Sequence, residues 1–331
     1  MQGKSVNLLI PGLLKSFQSG EIDTSLDVDC FLIQKLIARS DILVPDTQGI
    51  SVDYQSILPV AYFEYYGSDF VTSPSKNTLY ADPVHLELKS DHILARPIIT
   101  QPDDSEKLSK IVTIFNEHFS EEGLLLELTE YGRVFCQSKN FNLANMTPTS
   151  QILGRDIKHF LPKGENSSDW IRVFNETQML LHEKLSYEER LIGGLELNSF
   201  WFWGGGLLDQ NANKDINYLG TARWLKGFCK HNQSSFCSLD RITDSSANTF
   251  YLIEEKLIGA SSTGDYKEWL DVLKELENEI LLPLYEILLS GEIEHLIIHE
   301  SSTTAYKFTK NHRYRIFRKP VSLEKICVSQ K

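Results

Sequence analysis

The segment from Leu181 to Gly206, LHEKLSYEERLIGGLELNSFWFWGGG, constrains the fold more than any other part of this chain. A polar, helix-like run ends in a double glycine. A strand-like run then carries Trp201 and Trp203, interleaved with Phe200 and Phe202, into Gly204, Gly205 and Gly206. An extended backbone sends successive side chains to opposite faces, so both faces would be apolar, the pattern of a central strand covered on both sides. The glycines then let the backbone turn or approach something closely. Large aromatics dominate cores, which favours Trp201 and Trp203 as packing residues over a ligand platform.

The rest of the chain alternates strand and helix signals. Val6 to Ile10 reads as a buried strand stopped by Pro11-Gly12, and CFLIQKLIARSD from Cys30 has helical spacing. A second helix is predicted from Ser105 to Phe119, with Leu108, Ile111, Val112, Ile114 and Phe115 on one face and Asp103-Asp104-Ser105 offering cap oxygens. GLLLELTEYGRVFCQS reads as a hairpin around Tyr131-Gly132. The run from Trp170 is an amphipathic helix with Ile171, Phe174, Met179 and Leu180 on or near one face. A strand from Leu197 to Trp203 follows. Further on come a helix from Tyr266 interrupted at Pro283 and a last strand pair around His295 to Ile298 and Tyr314 to Arg318. Such alternation implies an α/β sheet layered by helices.

Composition narrows the function classes. At 331 residues and 41% hydrophobic the chain can hold two domains, or one domain with an insertion. Lys plus Arg total 33 against 45 Asp plus Glu, a net charge of −12, which argues against a nucleic-acid binder because phosphate contact needs a basic footprint. The densest basic run, RYRIFRKP from Arg313 to Pro320, could stack on a base but fits an edge strand better. Cys30, Cys136, Cys229, Cys237 and Cys327 are odd in number and contain no CxxC pair, so neither a disulfide framework nor a zinc knuckle is suggested. No secretory leader and no apolar run of the ~20 residues a bilayer span needs are visible. Cytoplasmic residence is expected, with no membrane and no nucleic-acid partner.

The Leu181 to Gly206 segment resembles the archaeal-type cofactor-independent phosphoglycerate mutases, whose pattern there is close to LxxHPVNxxRxxxGxxPANxIWLWGQG. His182, Arg190, Gly194, Asn198, Trp201, Trp203, Gly204 and Gly206 fall on matching positions, while Leu185, Ser186 and Gly205 depart from it. GRDIKHFLPKGE, Gly154 to Glu165, is similar to the family's GKxIxxxLPxG segment, and the resemblance runs from about residue 6 to residue 300. It implies an α/β fold, an alkaline-phosphatase-like layered sheet core with an inserted smaller α+β domain. Mapped onto this chain, the core's first part is residues 1–83, the insert 84–196 and the core's second part 197–331. Within this resemblance the chain is similar to the bacterial RpfE-type regulatory proteins.

The mutases hold two divalent metals with Asp and His side chains and pass a phosphoryl group through a serine, since paired cations activate the oxygen and neutralise the phosphoryl charge. Aligned residue by residue, this chain lacks those parts. Pro11 stands where the first strand's metal-binding aspartate is expected. SILPVAYFEYYGSD, aligned through Ala61, Gly67 and Asp69, puts Leu58 on the nucleophile and Pro59 on the following aspartate. YLIEEKLIGASSTGDYKEWL, aligned through Ala260, Gly264 and Asp265, puts Ile258 and Ser262 on a metal-binding aspartate and histidine. Ser56, two residues from Leu58 and on the same side of a strand, is a fallback nucleophile.

The leading expectation is therefore a catalytically inactive homologue, with no cofactor, that binds a protein partner or a small phosphorylated metabolite. Asp82, His85, His182, Arg190, Asn198 and Trp203 are the ligand-binding candidates. Asp82, Pro83 and His85 take the place of the family's ARCNF residues, which removes an arginine fork and adds a carboxylate and an imidazole. Packing readings stand beside these. Asp82 can cap a turn before Pro83, His85 can sit in a strand, Arg190 can be solvated between glutamates, and Asn198 can hold a backbone turn through its amide. The first alternative is an active metal-dependent phosphatase or phosphomutase with a site rebuilt from Asp82, His85, His182, His299, Glu300 and His312, using Mn or Zn. The other alternative is a structural subunit of a complex.

Overall fold

The computed structural model describes residues 3–14, 31–45, 50–68, 73–130, 132–208, 215–320 and 322. Cys30, Asp69, Tyr131 and Cys327 lie outside them.

The chain first forms strand β1 (Ser5–Leu9), helix α1 (Phe31–Arg39) and the short strand β2 (Asp41–Leu43). Next come α2 (Val60–Gly67), β3 (Asn77–Leu88), β4 (Ile93–Pro97) and α3 (Ser105–Phe119). The hairpin β5 (Leu124–Leu128) and β6 (Val134–Ser138) leads to α4 (Thr149–Ile152), α5 (Ser167–Lys184) and α6 (Tyr187–Arg190). Three strands close this stretch, β7 (Leu191–Ile192), β8 (Leu195–Glu196) and β9 (Ser199–Trp203). Then follow β10 (Ile216–Gly220), α7 (Leu225–Asn232), β11 (Ser235–Phe236), β12 (Thr249–Ile253) and α8 (Lys256–Thr263). The last elements are α9 (Tyr266–Leu276), α10 (Leu282–Ser290), β13 (His295–His299) and β14 (Ala305–Thr309).

Backbone contacts gather residues 1–54 with 211–331 into one unit and residues 55–210 into another. The family mapping draws the insert's limits at 84 and 196. By contacts the unit also holds the N-terminal half of β3 and all of β9, which pair with each other, Tyr80 opposite Trp203.

The discontinuous unit is built on a seven-stranded sheet in the order β11-β10-β12-β1-β13-β14-β2. β1 lies between β12 and β13, parallel to both, with Ser5 opposite Thr249 and His295. Strands covered on both faces read as unbroken apolar runs, and Val6, Leu8 and Leu9 are buried in agreement. Val6 and Leu8 belong to a core that includes Leu32, Ile33 and Leu36 of α1, Trp269 and Leu273 of α9 and Leu284 of α10. The step from β12 to β13 passes over β1, so the direction of winding reverses there. Open α/β sheets bind ligands outside the carboxyl ends of their strands at such a point.

The helix predicted to break at Pro283 breaks just before it, in a π-helical turn, Glu277–Leu281, between α9 and α10. Proline has no N–H to continue the α-helical ladder, and one widened turn absorbs the mismatch. The π turn carries Glu277, which is buried and accepts hydrogen bonds from the backbone N–H groups of Leu32 and Ile33, both at 3.2 Å. The carboxylate thus caps the first turn of α1, whose own first turn has no acidic residue.

The second unit is α+β. β4, β3, β6 and β5 form an antiparallel array, and β9 joins it by pairing with β3.

Several expectations need correction. All five residues of β9 are buried, but among the described residues β9 pairs with β3 alone and is an edge strand, not a central one. The partner of β13 is β14, not the Tyr314 to Arg318 run, which forms a 3-10 turn (Lys310–Tyr314) and a following bend. Ser56 sits in a 3-10 turn, Tyr54–Ser56, not on a strand. In α5 the buried side chains are Trp170, Val173, Phe174, Thr177, Leu180 and Leu181, while Met179 is exposed. At α3 the Asp104 side chain does not cap the helix; its Oδ2 accepts from the N–H groups of Gln101 and Gly193.

Candidate functional site

In the 55–210 unit the candidate residues are held by one another and by backbone. Asp82 Oδ2 accepts from the Thr149 hydroxyl and from the Trp203 indole N–H, each at 2.6 Å. His85 stands three residues further along β3, on the opposite face of the strand, and its Nδ1–H donates to the Glu196 carbonyl at 2.8 Å. Asp82 and His85 therefore do not converge on a common point. Arg190 is buried and forms an ion pair with Glu196, so the solvated reading of Arg190 is corrected. The reading of Asn198 as the holder of a backbone turn is also corrected: its amide bonds a strand, Oδ1 accepting from the Leu86 N–H of β3 at 2.8 Å and Nδ2 donating to the Leu86 carbonyl at 3.0 Å. His182 is exposed on α5.

The glycine triplet answers to sterics. A Cβ on Gly206 would lie 2.5 Å from the Ile57 carbonyl oxygen and 2.9 Å from backbone atoms of Leu58 and Pro59. The Ala61 N–H also donates to the Gly204 carbonyl at 3.0 Å. What the triplet approaches is thus the segment entering α2, and Leu58 and Pro59, at the positions matched to the nucleophile and its neighbour, are buried there. Ser56 nearby is exposed.

In the discontinuous unit the carboxyl edge of the sheet is furnished mainly by two glutamates directly after β12. Glu254 is 1% exposed; its Oε1 accepts from the Thr221 hydroxyl at 2.5 Å and the Lys256 N–H at 3.0 Å, while Oε2 has no hydrogen-bond partner among the described residues. Glu255 Oε1 accepts from the Tyr54 hydroxyl at 2.6 Å and the Trp224 indole N–H at 3.1 Å. Burial, with the neighbouring Glu255 and Glu254 charges, raises the Tyr54 phenol far above its ordinary value, so it remains a donor. After β1, the Pro11-Gly12 turn packs on the helices: a Cβ on Gly12 would lie 2.6 Å from Ser261 Oγ, and the Gly12 carbonyl accepts from the Trp269 indole at 2.7 Å. The Ser262 hydroxyl donates to the Ile258 carbonyl at 2.6 Å.

The fallback metal ligands of this unit face different partners. His299 is buried, with Nε2 3.0 Å from Asn7 Oδ1, and burial pushes its pKa down to about 4. Glu300 is exposed and accepts from the Tyr306 hydroxyl at 3.1 Å. His312 Nε2 is 3.3 Å from Asp41 Oδ2, and burial, with Arg315 nearby, lowers its pKa. Among the described residues no three His, Cys, Asp or Glu side chains group as a metal site, so these three do not assemble one. Sequence reasoning missed Thr221, Glu254 and Glu255. Their signal was the Glu-Glu pair directly after the apolar run TFYLI and before a helix, the place where an open sheet presents ligand groups.

A mostly parallel, helix-layered sheet interrupted by an antiparallel α+β unit defines the class: an α/β protein with a large insertion. No protein-family model matches the chain. A probable 2,3-bisphosphoglycerate-independent phosphoglycerate mutase from Geobacter sulfurreducens is 37% identical over 69 residues, which is 20% of this chain and 17% of that protein. Among solved structures the chain is similar to a cofactor-independent phosphoglycerate mutase from Thermoplasma acidophilum, with a TM-score of 0.40 and 14% identity over 100% of this chain and 96% of that one. It is also similar to a Pyrococcus horikoshii protein, with a TM-score of 0.49 and 11% identity over 93% and 87%. Among the described residues no helix is long and apolar enough to cross a membrane.

Proposed function

We propose that this chain is a catalytically inactive relative of the cofactor-independent phosphoglycerate mutases, of the RpfE-type regulatory kind. It works in the cytoplasm by binding a partner protein or a small phosphorylated metabolite, without a metal. One observation carries the reading: the five positions matched to the phosphotransfer parts hold Pro11, Leu58, Pro59, Ile258 and Ser262. Four of these have no side-chain oxygen to accept a phosphoryl group or bind a cation, and the fifth, Ser262, donates to its own helix. The 37% identical stretch shared with a probable phosphoglycerate mutase supports the ancestry.

The test is thermal unfolding with phosphoglycerate, with and without Mn²⁺. A ligand at one hundred times its Kd adds about 2.7 kcal/mol of stability. A shift independent of Mn²⁺ supports a metabolite sensor, no shift leaves the partner-binding form of the proposal, and a shift that requires Mn²⁺ overturns the metal-free reading.

A second reading has one observation of its own. Glu254 is buried with an unpaired carboxylate oxygen beside Glu255, and a buried charge left unpaired is costly. A Mn or Zn ion there would take Glu254 as one ligand, and a metal-dependent phosphatase or phosphomutase would complete its rebuilt site with ligands beyond the described groups, which hold no cluster of three. Stoichiometric metal that is lost in Glu254→Gln supports this reading, and metal-free protein after dialysis against Mn²⁺ and Zn²⁺ refutes it.

A further inference from the structure

We propose that residues 313–319, beside β2 at one end of the seven-stranded sheet, form a docking face for an anionic phospholipid surface. Three large apolar side chains stand in solvent there: Tyr314 is 63% exposed, Ile316 76% and Phe317 77%. Ile316 and Phe317 sit at the tip of a turn closed by the Arg318 N–H bonding to the Arg315 carbonyl at 3.0 Å. That turn is firmly held. Arg315 makes two bonds to the Asp41 carboxylate, at 2.5 and 3.2 Å, and one to the Arg39 carbonyl at 2.9 Å. Arg318 reaches the Ser40 carbonyl at 2.9 Å, and Arg39 reaches the Arg313 carbonyl at 2.9 Å.

The same bonds leave the face positively charged. Arg39 and Arg318 donate to neutral carbonyls and Arg313 to the Tyr314 hydroxyl, so their charges are not cancelled. Lys319 is exposed beside them, and among the described residues Asp41 is the carboxylate near them, already paired with Arg315. The chain as a whole carries −12, but charges farther off than about 8 Å are screened at physiological ionic strength. The local excess of cations therefore decides what approaches this face. Ile316 at the tip is aliphatic and does not stack on bases as aromatic platforms do, and the Tyr314 ring is already covered by the Arg313 guanidinium at 4.5 Å. An interface of acyl chains and acidic headgroups takes both the apolar tip and the flanking cations.

The test is co-sedimentation of the full chain with phosphatidylcholine vesicles, with and without about one third phosphatidylserine. Binding is expected at least about tenfold stronger with phosphatidylserine, to weaken with salt, and to fall about tenfold in Ile316→Ser/Phe317→Ser and in Arg313→Gln/Lys319→Gln. Ile316, Phe317 and Lys319 are exposed and Arg313 is half-buried, and unchanged unfolding midpoints confirm that the variants fold. Absence of binding to either vesicle, or binding that neither double variant changes, overturns the proposal. So does binding of a single-stranded RNA that both variants abolish while vesicles do not bind, which would assign the face to nucleic acid.

Discussion

Replacing Glu277 by alanine should unfasten the start of α1. The carboxylate accepts two backbone N–H bonds, from Leu32 and Ile33, and a helix's first N–H groups have no partner within the helix. Hydrogen bonds to a charged acceptor contribute about 1.5–3 kcal/mol each. At 3.2 Å these two sit at the long end of the normal range, which favours the lower figure. A negative charge at the helix N-terminus adds about 0.3–1 kcal/mol. Removing a buried carboxylate also removes its desolvation cost, which offsets part of the loss. The expected net cost of Glu277→Ala is about 2–4 kcal/mol, at the upper end of cap deletions. Glu277→Gln keeps one acceptor oxygen but loses the charge, and should cost about half as much. Amide hydrogen exchange over residues 31–39 reads the local opening directly, and urea unfolding gives the whole. Exchange in that segment should accelerate by about thirtyfold or more in the alanine variant, since each 1.4 kcal/mol is about tenfold. A cost of less than about 0.5 kcal/mol with unchanged exchange would refute the capping role.

Three further outcomes are expected. His299 has a pKa lowered to about 4 by burial against about 6.5 when unfolded; the unfolded chain binds the proton first, so this contribution is whole above about pH 6.5 and lost as pH falls towards 4, by about 3 kcal/mol at most. Replacing His299 with leucine should flatten that part of the stability–pH curve from urea unfolding, and an unchanged slope between pH 4 and 6.5 would count against it. Gly206→Ala places a methyl 2.5 Å from a backbone oxygen and should cost about 1–3 kcal/mol by thermal unfolding; full stability would mean the Ile57–Pro59 backbone yields freely. Asn198→Ala removes both bonds to Leu86 and should cost about 1–3 kcal/mol, with faster amide exchange in β3 as the local readout.

Elements whose partners are implied by their own period were legible in the sequence. Ser105–Phe119 is a helix over the expected residues because Leu108, Ile111, Val112 and Phe115 recur on one face, and that face is buried. The α/β class followed from the alternation of such runs. What failed involved distant partners. RYRIFRKP has a stronger local strand pattern than AYKFT, yet its arginines bond to carbonyls of residues 39 and 40, so the run is pinned as a turn and Ala305–Thr309 takes the strand's place. Met179 and Leu180 look alike to a periodicity count, and only the packing of α5 separates them. The candidate site was partly legible: the glycine triplet makes the close backbone approach read for it, but Asn198 bonds a strand rather than a turn, and Asp82 and His85 fall on opposite faces of one strand. Glu254 and Glu255 follow β12 directly and so stand at its carboxyl end, but only the strand order shows that this is where the winding reverses.

That winding order also sets a timetable for synthesis. β1 and β2 are made before β13 and β14, which lie between them in the finished sheet, and among the described residues β1 pairs with strands that begin at Thr249 and His295. At about 5–20 residues per second, β1 waits roughly 15–60 s for both neighbours to be made. Residues 55–210 form a unit whose strands pair among themselves, so that unit can close on the ribosome while the first strand is still unpaired. An apolar strand left open that long is an aggregation hazard. β1 is therefore the strand most dependent on a chaperone or on rapid synthesis through to His299.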